Sequence, residues 1–163
     1  MKKINILLLS LLCLSSILQA KDQVYSFLGI QTAVSEYQDT TAPSLGVKYG
    51  QQSQNIRTSI SYDYAKNSSK QYQTLLMQID TGILEKTFRE SLFKPYMGVS
   101  LGFIQYEDKN TIDKGYVYGL NTGVTYLLND AVDLDLGFHF MKTKKMQTIN
   151  NINDLTFSLH YFY

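Results

Sequence analysis

Two histidines, His139 and His160, each fall in a stretch that also holds residues able to work with an imidazole. Ser158, Asp133 and Asp135 share a strand face with them, so a serine hydrolase triad and a histidine–carboxylate metal site are the chemistries to weigh. Residues two apart on a strand stand about 6.5 to 7 Å apart, which is long for a direct Ser158 to His160 hydrogen bond. Hydrogen bonding in a polar core accounts for the same histidines and acids without a metal. Arg57, Asp80 and Gln78 form a second group, which Lys48 can reach from a neighbouring strand. Buried charges need partners, so this group reads as an internal salt-bridge network. The glycines at 98, 102, 119 and 123 do not make a phosphate cradle, because that fingerprint needs a strand-to-helix turn. No residue is assigned to catalysis, to a metal or to a cofactor.

The elements that must position these groups are strands. The segment 155–163 places Leu155, Phe157, Leu159, Tyr161 and Tyr163 on one face and Thr156, Ser158 and His160 on the other, with Phe162 the one break in the alternation. The same alternation predicts eight strands, near 24–36, 43–50, 55–66, 71–85, 94–106, 115–127, 132–142 and 152–163, separated by seven polar or turn-rich breaks. Thirteen tyrosines against two prolines favour sheet over helix. An even count of long strands predicts an all-β fold, an eight-stranded antiparallel up-and-down transmembrane β-barrel.

At the other end of the chain, Lys2 and Lys3 precede the apolar run Ile4 to Leu14 and the small residue Ala20. This pattern predicts a secretory signal peptide over 1–20, too short in its apolar core for a spanning helix, followed by a single barrel domain over 21–163. Cys13 leaves with the signal, so disulfides and thiolate chemistry are excluded from the mature domain. Leu12 stands where a lipoprotein cleavage site wants a small residue. Of 15 basic and 14 acidic residues, two lysines leave with the signal, giving a formal charge of −1 and no nucleic-acid footprint.

One face of each strand suits lipid: Leu45, Val47 and Tyr49; Leu75, Met77 and Ile79; Val99, Leu101 and Phe103; Leu136 and Phe140 are examples. On the first strand Val24, Leu28, Ile30 and Val34 compete with Tyr25 and Phe27 for the outside, and the former are favoured. Tyr62, Tyr64, Tyr116 and Tyr118 gather near one end, and Tyr49, Tyr126, Tyr161 and Tyr163 near the other, the pattern of two interface girdles. Both termini then face the periplasm and the breaks at 37–42, 67–70, 107–114 and 142–151 face outside. The opposite faces supply a small, polar interior holding Lys48, Arg57, Asp63, Gln78, Asp80, Asn121, Asp133, Asp135, His139 and His160. Eight strands leave a lumen just wide enough for such side chains to fill, so a plugged core is expected over an ion path. Gly102 is placed near Gly119 and Gly98 near Gly123, making room for Tyr96 and Tyr106. Lys142, Lys144 and Lys145 form a basic cluster at the outer end, where lipopolysaccharide phosphates lie.

The runs Pro95-Tyr96-Met97-Gly98-Val99-Ser100-Leu101-Gly102-Phe103, Gly119-Leu120-Asn121-Thr122-Gly123-Val124-Thr125-Tyr126 and Val132-Asp133-Leu134-Asp135-Leu136-Gly137-Phe138 resemble the opacity-type small outer-membrane β-barrel family, eight-stranded barrels of the OmpA and OmpX kind. The likeness covers the C-terminal half of the chain. It implies an outer-membrane surface barrel with a structural or surface-interaction role, of the kind linked to envelope integrity, adhesion, serum resistance or weak pore activity, with no shared catalytic residues. Phe157, Leu159, Tyr161 and Tyr163 resemble the terminal signal read by the outer-membrane assembly machinery. The short outer loops depart from the opacity adhesins and count against adhesion to host surfaces, though a surface ligand could still meet the loops. Barrel deacylases carry a serine two residues after a histidine, and His139-Phe140-Met141 lacks it. Membrane lipid and lipopolysaccharide are the expected surroundings of a monomer. The rival readings are a narrow ion-conducting pore and a soluble periplasmic lipocalin-like barrel with its apolar faces inward.

Overall fold

The structure is a computed structural model that describes residues 24–38, 40–53, 55–83, 91–109 and 111–163; the segment 1–20 lies outside them. Eight strands, β1 (Tyr25–Tyr37), β2 (Thr40–Gln52), β3 (Ile56–Asn67), β4 (Lys70–Gly82), β5 (Phe93–Asp108), β6 (Thr111–Asn129), β7 (Val132–Lys144) and β8 (Asn151–Phe162), follow one another in order around a closed barrel. Each pairs antiparallel with its sequence neighbour, and β1 closes on β8 from Phe27↔Phe162 to Tyr37↔Ile152. Tyr163 N–H donates to Ser26 O at 3.0 Å and Phe162 N–H to Ala131 O at 2.8 Å, so even the last residues are tied into the wall. We call the end that carries Val24 and Tyr163 proximal and the opposite end distal.

The strands exceed their sequence-based bounds at the distal end. Tyr37 pairs with Thr40, and Asp108 with Thr111, so the expected breaks at 37–42 and 107–114 shrink to tight hairpins. Gln38, Ser68 and Lys145 supply the positive φ that three distal turns require. Moving the turn by one residue slips the pairing by two: Gly119 faces Ser100, Gly98 faces Asn121, Gly123 faces Tyr96 and Gly102 faces Val117. The expected glycine-to-glycine pairs are therefore corrected. Tyr96 does use the room, since its ring and hydroxyl lie where Cβ atoms of Gly123 and Gly137 would be. Tyr106 instead packs distally against Tyr72, ring centroids 5.3 Å apart.

Apolar side chains form a continuous outward band: Leu45 is 69 % exposed, Leu120 64 % and Leu101 61 %. Such a band greatly exceeds the few hundred Å² that a monomer shows to water, so its solvent must be lipid. That orientation also removes the lipocalin-like alternative, which needs those faces inside. On β1, Leu28, Ile30 and Val34 face outward and Phe27 inward, while both Val24 and Tyr25 are exposed at the proximal end. Phe162 breaks the β8 alternation by turning toward Phe27, with centroids 5.3 Å apart.

The interior departs from expectation at its distal end. There the lumen is apolar rather than polar, filled by Tyr37, Tyr72, Tyr106, Leu76, Ile104, Val117, Met141, Ile149 and Ile152. Tyr37 and Tyr72 stack at 3.8 Å with an interplanar angle of 6°. This plug rests on strands whose two faces are both apolar, so alternation alone could not identify it.

Close wall packing makes a test. A Cβ on Gly119 would strike Phe140 O and Met141 Cα of β7, whereas one on Gly82 meets nothing within 4 Å. Gly119→Val is expected to cost about 1–3 kcal/mol through overpacking, seen as a lower temperature for loss of the folded, faster-migrating band on a detergent gel. Gly82→Ala leaves that temperature unchanged.

Candidate functional site

The proximal lumen is organised around Arg57 of β3. Its Nη2 donates to Asp133 Oδ2 at 2.9 Å, its Nη1 to Asp135 Oδ2 and Thr125 Oγ1 at 3.3 Å each, and its Nε to Gln52 Oε1 at 2.7 Å. The guanidinium fork thus spans two carboxylates that β7 presents at positions i and i+2 on one face. Arg57 does lie opposite Asp80 in register, as sequence pairing predicts. Its ion pairs nevertheless cross the lumen to β7, while Asp80 accepts a hydrogen bond from Asn121 Nδ2. Asn121 Oδ1 in turn accepts from Ser100 Oγ at 2.9 Å.

The two histidines occupy separate sites. His160 Nδ1 meets Asp133 Oδ1 at 2.7 Å, and its ring packs 4.7 Å from Phe27, over which the Arg57 guanidinium carbon lies at 5.5 Å. Ser158 and His160 are both fully buried, and no hydrogen bond reaches Ser158 Oγ. The nucleophile-to-base contact of a hydrolase is therefore not formed. His139 Nε2 contacts Gln78 Nε2 at 3.0 Å, while its Nδ1 faces Asp154 Oδ2 at 3.6 Å, beyond hydrogen-bond reach. Asp63 accepts from Gln31 Nε2 at 2.5 Å and from Ser61 Oγ at 3.0 Å. Lys48 is buried within electrostatic reach of Asp63 and Asp80.

Lys48, Arg57, Asp63, Gln78, Asp80, Asn121, Asp133, Asp135, His139 and His160 all lie on the lumenal side, and each of them but Lys48 makes a side-chain contact named above to another polar group there. Beyond Gln52, Thr125, Ser61 and Ser100, which join the network through single hydrogen-bonding atoms, the sequence reading missed Tyr96, Gln31 and Asp154. Tyr96 donates from Oη to Asp135 Oδ1 at 3.0 Å, a role its aromatic type did not advertise. Gln31 was hidden by the ambiguous facing of β1, and Asp154 by its place beside a polar break. Alternation from Thr156 back to Asp154 was the available signal for the last.

A second cluster lies on the outer wall. Tyr116 pairs with Lys144, Tyr118 with Lys142, and Gln105 with Lys114, so these lysines stand beside the distal tyrosines on the lipid-facing side. Lys145 Nζ sits 5.1 Å from the Tyr116 ring centroid. Tyr62 and Tyr64 occupy the same distal level on β3 and donate to Gln73 and Gln71 of β4 at 3.1 and 3.2 Å. Tyr49, Tyr126, Tyr161 and Tyr163 lie toward the proximal end, as their register with Leu28, Phe93 and Val132 places them. Above the lysines, Asp113 Oδ2 accepts from the backbone N–H of Gln147 and Thr148 and from Thr148 Oγ1, at 2.8 to 3.0 Å, fastening the β7–β8 loop to β6. Partial burial pushes the Asp113 carboxyl up, but these hydrogen bonds outweigh it and hold the group below the usual carboxylate range.

No protein-family model matches the chain, and no curated protein is similar to it in sequence. Solved structures are similar in fold. Neisserial surface protein A superposes with a TM-score of 0.70 at 17 % identity, over 88 % of this chain and 100 % of that one. Outer membrane protein H (OprH) of P. aeruginosa gives 0.61 at 16 % identity, over 85 % and 99 %. The outer membrane enzyme PagL gives 0.54 at 6 % identity, over 83 % and 98 %. The chain therefore has the closed, eight-stranded fold of the small outer-membrane barrels, a scaffold that carries non-enzymatic proteins and an enzyme alike.

Two outcomes follow from this geometry. Arg57→Met strands two buried carboxylates and is expected to cost about 3–5 kcal/mol, read from urea unfolding in detergent micelles; an unchanged midpoint would contradict the bridging role. For Asp113, a depressed folded pKa means its stabilisation is present above the unfolded carboxylate value and is lost as pH falls through the lower, folded value. Hydrogen exchange at Gln147 and Thr148 should accelerate below the ordinary carboxylate range in the native chain, and at all pH values in Asp113→Asn.

Proposed function

We propose that this protein is a monomeric, integral outer-membrane barrel with a structural and surface-interaction role, holding phosphate groups of outer-leaflet lipopolysaccharide on the lysine ledge of β6 and β7. The observation that carries the reading is the placement of Lys114, Lys142 and Lys144 on the lipid-facing side, level with or just above Tyr116 and Tyr118. Cations there meet anionic headgroups at the depth where phenol rings favour an interface. The proximal end then faces the periplasm and the distal end the outside, consistent with β1 beginning and β8 ending on the same side. The lipid-facing Phe157, Leu159, Tyr161 and Tyr163 of β8 serve as the recognition signal for the assembly machinery after export directed by residues 1–20.

Catalysis and conduction are not part of this role. Ser158 and His160 lack both mutual contact and solvent access, which argues against acyl transfer in the lumen. The stacked tyrosines and aliphatic residues of the distal plug argue against an ion path, since conduction needs a wetted lumen from end to end.

The ledge is tested by titrating the micelle-bound protein with purified lipopolysaccharide. Replacing Lys114, Lys142 and Lys144 together by glutamate is expected to weaken binding at least about ten-fold and to abolish its salt sensitivity, with the gel-shift temperature unaltered. Equal affinity in the triple variant would remove the proposal.

A further inference from the structure

Between the distal plug and the Arg57 cluster lies a small internal chamber of about 20 Å³, bordered above by Tyr37, Leu76, Met141 and Ile152 and below by polar side chains. That volume accommodates one water-sized occupant. Four polar atoms of its lining have no hydrogen-bond partner among the described residues: Gln31 Oε1, Thr156 Oγ1, Asp154 Oδ1 and His139 Nδ1. Gln31, Thr156 and His139 are each at least 96 % buried. The orientation of Gln31 is settled by its neighbour, because the Asp63 carboxylate only accepts and must take the amide N–H, which leaves Oε1 turned away from it. The chamber therefore offers a carboxylate, an amide carbonyl and a hydroxyl, an all-oxygen set of the kind that hard cations take.

Charge points the same way. In the proximal lumen Arg57 is spent on Asp133 and Asp135, with His160 against Asp133 and Lys94 lining the mouth. Around the chamber itself Asp63 and Asp154 face the lumen, and Lys48 lies within electrostatic reach of Asp63. The two carboxylates outnumber Lys48 by one formal charge. An uncompensated charge in a lumen walled by lipid-embedded strands is costly, and a monovalent cation beside Asp154 neutralises it.

We propose that this chamber is a binding site for one small monovalent cation of the sodium class, coordinated by Asp154 Oδ1, Gln31 Oε1 and Thr156 Oγ1 beneath the aromatic plug. The ion ties β1 to β8 across the closing seam, since Gln31 and Ser158, Ala33 and Thr156, and Ser35 and Asp154 are paired there. It stabilises the folded state and contributes to closure, with no role in transport.

The test is thermal unfolding of the purified barrel in a zwitterionic detergent, with sodium chloride exchanged for choline chloride at constant ionic strength. Choline is too large for the chamber. Sodium at about a hundred-fold its dissociation constant is expected to raise the midpoint by about 5–10 °C, saturably. Asp154→Asn should lose the response, and Thr156→Val serves the same purpose if the first variant does not fold. Crystals grown with rubidium or thallium in place of sodium should show one anomalous peak between Asp154 and Gln31. Equal midpoints in sodium and choline, with no anomalous peak, would mean that the chamber holds water or that a carboxylate is protonated, and would overturn the proposal.

Discussion

Lipid supplies no hydrogen bonds, so every backbone N–H and C=O in the spanning stretch must find its partner within the chain. The seam between β1 and β8 is where that requirement is met or fails, because these two strands are remote in sequence and each would otherwise be an open edge. Closure at eight strands then sets the bore, and the bore sets what the lumen can hold. The anchoring of Phe162 and Tyr163 to Ala131 and Ser26 belongs to the same requirement, since the wall must be complete at its proximal rim.

A lumen of this width excludes bulk water, so each charge inside it must be answered by another side chain. Arg57 can answer two carboxylates because its fork is planar and β7 offers them on one face. Phe27, at its back, supplies a cation–π surface and packs against His160, which is held by the same Asp133. The Arg57 cluster is therefore one connected assembly, with Asp80–Asn121–Ser100, Gln31–Asp63–Ser61 and Gln78–His139 as separate hydrogen-bonded groups beside it, and the distal aromatic plug closes the lumen above them. Inside and outside are thus solved by opposite means, ion pairing within and apolar contact without.

The eight strands and their facing were legible because period-two alternation is strong wherever one face meets lipid and the other a polar lumen. Legibility failed where that contrast failed. Residues 37–42 and 107–114 read as loops because strands that rise above the lipid band carry polar residues on both faces. The glycine pairing slipped by two for that reason, as Asp108 pairs with Thr111 and the register is not centred on the polar stretch. The distal plug was invisible for the converse reason, since Leu75 with Leu76 and Phe103 with Ile104 are apolar on both faces.

What the sequence determined by itself is the two-sided pattern: which residues prefer lipid, which need polar company, and how many strands alternate between them. That information is local, carried by neighbours one and two residues apart. Only the tertiary structure decided which charges meet, because partners such as Arg57 with Asp133, or Asp154 with Gln31 across the β1–β8 seam, lie on strands brought together by barrel closure. Across-lumen proximity depends on the closed geometry of all eight strands at once, and no pairwise spacing along the chain encodes it.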